Sequence, residues 1–582
     1  ASDVYKRQVD EEGKLTAEAG DQFKGLFVFD ANVPILKYLA SLGMLLGKKN
    51  IHHQYAHCWR CKNPIIYRAT EQWFASVDGF REAALQAIHT DVQWIPAWGE
   101  PRIHNMVADR HDWCISRQRV WGVPIPIFYC AECHEPLVTD ATIEAVATCF
   151  EKEGSDAWWK HEADELLPKG TKCPKCGHPH FTKEKDIMDV WFDSGSSHMG
   201  VLKTRPELEW PCAMYLEGSD QHRGWFQSSL LTSVAATGKA PYRSVLTHGY
   251  VVDGDGRKMS KSVGNVIAPQ DIIKQYGADI VRLWVASADY KQDIRISKLI
   301  LKQLTEIYRK IRNTIRYILG NTSDFDYAKD KVAFADMQEL DQWALMRLQK
   351  LKKEVGTAYE EYEFHVLFHA IHNFCAVEMS SFYLDIIKDR LYASRQDDQI
   401  RRSAQTAMYE ILNDLVVMLA PVLSFTMEEV WQFMKKPADA PESVQMQTWP
   451  EVKEEYINET LEAKYDNFIA LRGEVTRVLE GHRQAKTIGN SLEAKLVLYA
   501  EGEALQILRS VEKDLAALLI VSQVVLEEGA AAGEEATDRA DLKVTVKPAD
   551  GHKCERCWTY SETVGTDPEH PELCARCAAV VK

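Results

Sequence analysis

Residues 254–265 read Gly-Asp-Gly-Arg-Lys-Met-Ser-Lys-Ser-Val-Gly-Asn and bring two lysines, Lys258 and Lys261, onto one loop flanked by glycines. The hydroxyls of Ser260 and Ser262 lie beside them in the sequence. Mobile cations and hydrogen-bond donors of this kind suit a polyphosphate whose charge must be stabilised while a phosphoryl bond breaks. Composition alone favours a solvated basic turn, so the interpretation depends on the segments around the loop.

The segments before this loop indicate an α/β domain. Residues 95–295 alternate short β-rich runs, such as Ser244–His248, with helical stretches, such as residues 225–236. This alternation is typical of a sheet covered by helices. A cysteine-rich segment, residues 130–176, interrupts the pattern.

The chain changes character after residue 297. Residues 298–463 contain long amphipathic stretches with few glycines, which predict an all-α helix bundle: 345–353, 364–392 and 407–434. Residues 464–526 return to a mixed α/β pattern, with 492–499 as a predicted strand. Residues 527–540, rich in Ala, Gly and Glu, read as a linker to a last cysteine-rich module.

Cysteine spacing predicts metal sites, because ten of the 14 cysteines fall in five Cys-x-x-Cys pairs. Zn²⁺ takes four soft ligands in a tetrahedron, and one such turn supplies two of them. The two C-terminal pairs have the compact spacing of a zinc ribbon and form one predicted site: Cys554, Cys557, Cys574 and Cys577. Two further pairs, separated by a longer insertion, form a second: Cys130, Cys133, Cys173 and Cys176.

Six cysteines are left over by this assignment. Cys58 and Cys61 have no partner pair and read as structural, redox-active or half of a metal site. The others are lone thiols that we interpret as ordinary buried residues: Cys114, Cys149, Cys212 and Cys375.

Composition excludes several classes of protein. The 582 residues are 46% hydrophobic and 26% charged, the balance of a folded protein with several domains. The net charge of −16 argues against a generally basic nucleic-acid coat but leaves local basic patches open. No apolar run approaches the roughly 20 residues of a membrane-spanning helix, and no secretory signal is visible. We therefore expect a cytoplasmic protein with no membrane partner. As a separate prediction, we expect it to act as a monomer.

The string Lys-Met-Ser-Lys-Ser, residues 258–262, is the signature loop of class I aminoacyl-tRNA synthetases, and the chain resembles this family at many other points. Four segments are similar to the subgroup that handles Ile, Val and Leu: residues 112–126, 189–195, 215–225 and 247–249. Within that subgroup, three more resemble the bacterial isoleucyl-tRNA synthetase family: residues 284–290, 420–431 and 554–558. The resemblance covers essentially everything after residue 8.

The resemblance implies an α/β fold that is the second half of a Rossmann-type catalytic domain, followed by an anticodon-binding helix bundle, a small mixed α/β region and a C-terminal zinc ribbon. The expected division is as follows: 1–8, a sequencing scar; 9–75, the tail of an editing insertion; 76–297, the catalytic half with the inserted zinc segment 130–176; 298–463, the bundle; 464–540, a junction and linker; 541–582, the zinc-binding module.

The reaction implied is attack of the isoleucine carboxylate on the α-phosphorus of ATP, which enters with Mg²⁺, followed by acyl transfer to tRNA(Ile). Lys258 and Lys261 are the implied catalytic residues, since they would stabilise phosphate charge in the transition state. The implied ATP contacts are Lys261, His248, Gly249, Asp220 and Gln221. The implied contacts to the aminoacyl-adenylate are Glu217, Gly218, Asp220, Gln221 and His222.

Trp191 and Trp225 resemble the indole walls around the isoleucine side chain, although core packing would be the ordinary interpretation of two tryptophans without the surrounding motifs. Such a pocket separates isoleucine from valine by one methylene, worth about 1–3 kcal/mol, a limit for which this family is itself the standard example. Editing must supply the rest of the discrimination.

The chain departs from the family in lacking the His-x-Gly-His motif and the Thr-rich and His/Asp segments of the editing pocket, all of which would precede residue 9. We therefore expect the C-terminal portion of a longer enzyme, inactive by itself in adenylate formation. Cys58 and Cys61 would then be half of a zinc site.

A basic helix is the predicted tRNA contact. Residues 302–316 carry five basic side chains and one acidic one, a local charge of +4 in an acidic protein, although a solvated helix face is the alternative. In the family this bundle reads the anticodon stem-loop. Trp558 and Tyr560 could stack on a base or pack over the metal turn.

Two other functions stay open at this point. A valyl-tRNA synthetase would share the catalytic motifs, but in that family we expect a C-terminal coiled coil where this chain has a zinc ribbon. A noncatalytic tRNA-binding protein derived from a synthetase would explain the missing motifs, but it would have no use for an intact Lys-Met-Ser-Lys-Ser loop.

Overall fold

The computed structural model describes residues 7–58, 60–529 and 535–582, and the chain forms two compact units, residues 1–247 and 248–582. Most of the predicted sequencing scar, residues 1–6, lies outside the described residues. None of the described helices combines the length and apolar character that crossing a bilayer requires.

A three-stranded sheet forms the centre of the first unit, in the order Gln93–Ile95, Ser244–His248, Tyr215–Gly218. The predicted strand Ser244–His248 is confirmed, and it pairs in parallel with Gln93–Ile95, with Val245 opposite Trp94. Its residues are buried on both faces, as expected for an inner strand of a parallel sheet. The predicted α/β class is confirmed for this unit.

The predicted helix after Tyr215–Gly218 runs over Trp225–Thr237 and is buried on nearly every side, because its residues are apolar or small all round. It ends at Gly238, which takes the left-handed conformation that favours glycine. The other α-helices described in this unit are Asn32–Ser41, Arg81–Thr90, Gly99–Ala108, Asp140–Glu153, Ala157–Lys160, Ala163–Leu166 and Val190–Gly195. The short strands outside the central sheet and the cysteine-rich insert are Phe74–Ala75, Trp113–Cys114, Ser116–Arg117 and Ile187–Met188.

The cysteine-rich insert has a small core of its own. Its antiparallel sheet has the order Pro136–Leu137, Phe128–Cys130, Phe181–Lys183. Trp158 is fully buried against Phe128, with ring centroids 5.0 Å apart. The insert therefore extends a little beyond the predicted limits of 130 and 176 on both sides.

The second unit contains the predicted helix bundle. Its long helices are Lys298–Asn321, Glu339–Glu360, Phe364–Asn373, Gln399–Leu419, Ser424–Phe433 and Glu459–Gln484. The stretch 407–434 is broken at residues 420–423, because Pro421 lacks an N–H group and its ring clashes with the preceding turn. The stretch 364–392 is interrupted by a π-helical segment, Phe374–Tyr383, and continues in Leu384–Ile386 and Lys388–Ala393.

The mixed α/β region that follows has a four-stranded sheet, in the order Gln523–Glu528, Ala494–Ala500, Leu542–Pro548, Glu535–Ala536. The predicted strand 492–499 is confirmed as Ala494–Ala500. The predicted linker 527–540 differs from the structure, because its described parts include strand residues and the chain returns to the sheet at Leu542–Pro548, with Leu542 and Val544 buried. Residues 530–534 of that linker lie outside the described residues.

The remaining elements of the second unit are short. The α-helices are Pro269–Tyr276, Ala278–Ala286, Tyr327–Asp330, Gly502–Ser510, Leu515–Leu519 and Ala575–Val581. The strands are Val251–Val252, Ile294–Arg295, His552–Lys553 and Tyr560–Ser561.

Candidate functional site

The cationic loop follows strand Val251–Val252, which pairs in parallel with Ile294–Arg295. A tight turn closes after it, where the Asp253 N–H donates to the Arg257 carbonyl at 2.9 Å. Lys258 and Lys261 are both exposed. Met259, between them, packs against the core of the second unit. The apolar side chain therefore anchors the loop and leaves the two ammonium groups in solvent.

Asn265 fastens the far end of the loop to its beginning. Its side-chain oxygen accepts from the Ser260 N–H at 2.9 Å, and its amide nitrogen donates to Asp253 Oδ2 at 2.9 Å. Asp253 also accepts from the N–H groups of Asp255 and Arg257. The hydrogen bond from Asn265 and those from the backbone lower the pKa of Asp253 to about 2.

The geometry of this loop suits an anionic ligand. Within the described residues, neither Lys258 nor Lys261 has an ion-pair partner within 4.0 Å, so both charges are available. The hydroxyls of Ser260 and Ser262 lie 3.1 Å apart on the same loop. Two free cations and two hydroxyls on a loop of fixed shape can bind phosphate oxygens.

His248 and Gly249 are the other predicted nucleotide contacts of this unit. Gly249 lies in close contact with the backbone of residues 290–293. The Gly249 N–H donates to the Tyr290 carbonyl at 2.9 Å. A Cβ atom at Gly249 would lie 2.2 Å from the Gln292 carbonyl carbon, so only glycine fits. Nδ1 of His248 lies 2.8 Å from the Gly249 carbonyl oxygen.

The predicted adenylate contacts lie on strand Tyr215–Gly218 and the 3₁₀ turn Ser219–His222 of the first unit. Gln221 Oε1 accepts from the Trp225 N–H at 2.8 Å, which fixes the turn to the start of the next helix. Glu217 Oε1 accepts from the Gly218 N–H at 2.8 Å. The backbone therefore presents these polar groups in one short segment.

Trp191 and Trp225 are brought to the same helix start. Trp225 stacks on Tyr215 at 4.0 Å between ring centroids, and its indole N–H donates to the Ser194 carbonyl at 3.0 Å. Trp191 is 42% exposed, and its ring would lie 3.0 Å from a Cβ atom at Gly224. Trp191 is therefore the more accessible of the two indoles.

His222 has a different environment from its neighbours. Its side chain is fully buried among Trp94, Trp98 and Phe226. Burial lowers the pKa of His222 below its usual range. The structure gives this residue a packing role, and its predicted contact with substrate stays a prediction.

Asp189 and Arg110, two residues with no predicted role, line the cavity beside Trp191. This cavity has a volume of about 340 Å³, and Arg110, Asp189 and Gly224 are among its lining residues. Asp189 is buried, accepts from the Trp113 indole N–H at 3.0 Å and pairs with Arg117 at 2.9 Å. Asp189 is the N-cap of helix Val190–Gly195, and an Asp directly before a helix is a capping signal that can be identified from the sequence.

Both predicted four-thiol clusters are assembled. In each, the four sulfur atoms lie within 4.8 Å of one another: Cys130, Cys133, Cys173 and Cys176, and Cys554, Cys557, Cys574 and Cys577. The Cys130–Cys176 and Cys133–Cys173 sulfur atoms are 3.5 and 3.6 Å apart. A tetrahedron with Zn–S bonds of about 2.3 Å has edges of about 3.8 Å, so these residues fit zinc.

Cys58 shares one backbone hydrogen bond with the first cysteine of three pairs in these clusters. In each turn the N–H of the residue after the second cysteine donates to the first cysteine's carbonyl, at 2.8–3.0 Å: Lys62, His134, Gly177 and Trp558. The same four residues all have positive φ. Within the described residues, no third His, Cys, Asp or Glu ligand completes a site with Cys58 and Cys61.

The predicted basic helix is confirmed as part of Lys298–Asn321, and its basic side chains are all exposed: Lys302, Arg309, Lys310, Arg312 and Arg316. The buried face of the same helix includes Leu304, Ile311 and Ile315, at helical spacing. Arg309 pairs with Glu306 at 2.7 Å, and among the described residues the other four have no ion-pair partner.

The C-terminal module contacts helix Lys388–Ala393 and the residues just after it. The two terminal guanidinium nitrogens of Arg576, Nη1 and Nη2, lie within 2.7 Å of the Asp389 carboxylate. Arg395 donates to the Ala579 carbonyl at 2.8 Å, and Arg556 donates to the Ala393 carbonyl. Trp558 is 62% exposed at the surface of this module.

Three family profiles match the chain. The profile described as tRNA synthetases class I (I, L, M and V) matches residues 6–297. The anticodon-binding domain of tRNA ligase matches residues 341–498, and the zinc finger found in FPG and IleRS matches residues 551–580.

Curated relatives are named isoleucine--tRNA ligase. The protein of Moorella thermoacetica is 57% identical over 578 residues, which are 99% of this chain and 62% of that protein. The protein of Caldicellulosiruptor saccharolyticus is 57% identical over 575 residues, 99% of this chain and 61% of that protein. The chain thus spans about three fifths of the length of the curated relatives it matches. Among solved structures, Mycobacterium tuberculosis methionyl-tRNA synthetase bound by methionyl-adenylate matches at 17% identity and a TM-score of 0.45, over 65% of each chain.

Proposed function

Because this chain belongs to the class I tRNA synthetases of the I, L, M and V group, we propose that it is the part of an isoleucine--tRNA ligase that carries the phosphate-binding loop, the anticodon-binding bundle and the zinc modules. The relatives at 57% identity support isoleucine as the amino acid and tRNA(Ile) as the acceptor. The zinc-finger match at residues 551–580 favours this assignment over a valine-specific enzyme. The enzyme would act as a monomer in the cytoplasm.

The observation that carries the proposal is the loop around Lys258 and Lys261. The loop is fastened by Asn265 and anchored by Met259, while both lysines are exposed and lack ion-pair partners within the described residues. In the proposed reaction the isoleucine carboxylate attacks the α-phosphorus of ATP, and the bond from that phosphorus to the bridging oxygen breaks. The two ammonium groups stabilise the charge that develops on the leaving pyrophosphate, for which Mg²⁺ is the expected counterion.

Residues of the first unit would bind the aminoacyl-adenylate. Glu217 would take the substrate ammonium group, while Asp220 and Gln221 would hydrogen-bond the ribose. Trp191 would lie against the isoleucine side chain. Its indole is partly exposed beside a cavity of about 340 Å³, which supports this role. Trp225 would shape the pocket indirectly by holding neighbouring side chains in place, because its ring is stacked on Tyr215.

Two zinc ions would be held by the two four-thiol clusters. They would fix the turns of the insert and of the C-terminal module, because zinc in a closed tetrahedral thiolate site is structural. The Cys58 carbonyl accepts from the Lys62 N–H, as the first cysteine's carbonyl does in three pairs of the two clusters, and we propose that Cys58 and Cys61 supply two ligands of a further zinc site.

The experiment that tests catalysis is isoleucine-dependent exchange of pyrophosphate into ATP, measured with this chain alone and within its full-length enzyme. The full-length enzyme should catalyse exchange, and Lys261→Ala should slow it by about 10²–10³-fold, the usual effect of removing one preorganised group that stabilises developing charge. Lys274→Ala is the matched control, since Lys274 is exposed on the neighbouring helix Pro269–Tyr276. The chain alone should be inactive, and exchange supported by valine rather than isoleucine would overturn the substrate assignment.

Binding of tRNA tests the role of the bundle separately. Replacing Lys302, Lys310 and Arg312 by Glu should weaken binding of tRNA(Ile) to this chain at least tenfold and reduce its salt dependence, because phosphate contacts release counterions. The control carries the same number of charge reversals at exposed lysines of the cysteine-rich insert: Lys152, Lys169 and Lys172. Equal losses in both variants would remove the support for a specific basic face.

A further inference from the structure

A third group of metal-ligating side chains lies in the cysteine-rich insert, apart from its four-thiol cluster. The sulfur of Cys149, a carboxylate oxygen of Glu153 and an imidazole nitrogen of His161 all lie within 4.8 Å of one another. The sequence predicts a buried lone thiol at Cys149. The structure leaves it partly exposed at the edge of the insert's core.

Local structure brings these three side chains together. Cys149 and Glu153 are four residues apart on helix Asp140–Glu153 and therefore lie on the same face, one turn apart. The helix stops at Gly154, whose φ of 76° turns the chain back. After the short helix Ala157–Lys160, the His161 ring lies with Nε2 at 3.0 Å from Glu153 Oε2.

The set has the chemistry of a transition-metal site. A thiolate, an imidazole and a carboxylate are three of the ligand types that Zn²⁺ uses, and bond lengths of about 2.0–2.3 Å put tetrahedral ligand atoms about 3.3–3.6 Å apart. The distances between the three ligand atoms, at most 4.8 Å, need to change by no more than about 1.5 Å to reach that spacing. Glu165 Oε2 lies 3.7 Å from His161 Nδ1, on the other side of the ring.

We propose that Cys149, Glu153 and His161 bind one divalent transition-metal ion such as Zn²⁺, at a site separate from the two four-thiol clusters. Three protein ligands leave the fourth position of a tetrahedron to water or another small ligand, unlike the closed thiolate sites. Cys149 and His161 are partly exposed and Glu153 is exposed, which gives the ion a direct path from solvent.

A simple ion pair is the competing explanation for His161 and Glu153, and the insert contains a matched example of one. His180 Nδ1 lies 2.7 Å from Asp164 Oδ2, and no cysteine joins that pair among the metal-ligating groups of the described residues. An ion pair needs only the imidazole and the carboxylate, whereas the proposed site also requires the thiol.

The test is a cobalt titration of the zinc-replete chain after loosely bound metal has been removed by brief dialysis against a weak chelator. Calorimetry gives the number of Co²⁺ ions bound, near-ultraviolet absorption reports a sulfur-to-cobalt charge-transfer band, and elemental analysis verifies that no zinc has been displaced. We expect one equivalent of Co²⁺ and a band of the intensity that a single thiolate gives.

Cys149→Ser should abolish the band and weaken Co²⁺ binding at least tenfold, and Glu153→Gln and His161→Asn should each weaken it at least tenfold. His180→Asn is the control and should leave both readouts unchanged. Unaltered zinc content and thermal unfolding show that each variant is folded, and Glu153→Gln, at an exposed position, is the substitution least able to disturb the fold. Failure to bind Co²⁺, or binding that survives Cys149→Ser, overturns the proposal.

Discussion

Asn265 Nδ2 lies 2.9 Å from Asp253 Oδ2 and donates a hydrogen bond that joins the two ends of the cationic loop. The same side chain accepts from the Ser260 N–H through its oxygen, so one amide holds both the loop and the residue before the loop. A hydrogen bond to a charged group contributes about 1.5–3 kcal/mol when it is sheltered from water and less when it is exposed. The shape in which Lys258 and Lys261 are presented therefore depends on a residue outside the lysine motif itself.

Asn265→Ala should loosen this loop without unfolding the second unit. We expect trypsin to cleave after Lys258 and Lys261 several times faster, because proteolysis requires the loop to leave its folded conformation. The rate of cleavage, followed by mass spectrometry of the fragments, measures the effect.

Val263→Ala provides the comparison for this loop. Val263 is 64% exposed in the same segment, and its side chain takes no part in the hydrogen bonds that Asn265 makes. It should be cleaved at the rate of the parent chain. Equal acceleration in both variants would mean that the amide does not hold the loop.

Gly195→Ala should destabilise the first unit. A Cβ atom at Gly195 would lie 2.8 Å from the carbonyl carbon of Ser228, so helix Val190–Gly195 and helix Trp225–Thr237 would have to move apart. Overpacking of this kind costs about 1–3 kcal/mol. The midpoint of urea unfolding, followed by tryptophan fluorescence, should fall accordingly.

Gly200→Ala is the matched substitution, because nothing lies within 4 Å of a Cβ atom there. It should leave the unfolding midpoint within experimental error. A similar loss at Gly200 would show that close packing at Gly195 is not the cause.

His198 should make the stability of the first unit depend on pH. The side chain is 1% exposed, its Nδ1 accepts from the Trp210 indole N–H at 3.1 Å, and burial lowers its pKa to about 4. The unfolded chain takes up a proton as the pH falls below 6.5, whereas the folded chain keeps this ring neutral until about pH 4. Stability from this group is therefore fully present above pH 6.5 and is lost between 6.5 and 4.

A pKa shift of this size lowers the free energy of unfolding by about 2–3 kcal/mol between pH 7 and pH 4.5. His198→Asn should flatten that part of the pH profile of the unfolding free energy, whatever it does to stability at neutral pH. A variant with the same slope as the parent chain would assign the pH dependence to other groups.

Each four-thiol cluster should bind its own zinc ion, so that disrupting one cluster leaves the ion of the other in place. We expect two tightly held zinc ions per chain, with Cys173→Ser losing one and Cys577→Ser losing the other, because a tetrahedral site of four thiolates does not retain its metal well with three. Cys212→Ser, which removes a thiol outside both clusters, should keep both ions. Elemental analysis after dialysis gives the number, and loss of both ions in one cluster variant would contradict two separate sites.

Local sequence signals predicted much of the fold. Ser244–His248 and Trp225–Thr237 were predicted with bounds within one residue, because one is a short β-rich run and the other a long apolar helical stretch. The π-helical segment Phe374–Tyr383 was not predicted, since the stretch 364–392 was interpreted as continuous helix and no local residue pattern marks the change of hydrogen-bond register. The strand Leu542–Pro548 also escaped prediction as part of the sheet, because its partner Ala494–Ala500 is far away in sequence.

The candidate site divides in the same way. Lys258, Lys261 and the paired cysteines could be identified from the sequence because their chemistry depends on residue type and on spacings of a few residues. Three other features depended on the path of the chain between residues distant in sequence: the hydrogen bond from Asn265 to Asp253, the burial of His222 and the approach of His161 to Cys149. Sequence alone thus determined which chemical groups the protein has, whereas the tertiary structure determined which of them meet, because contacts across turns and between elements are set by packing of the whole unit.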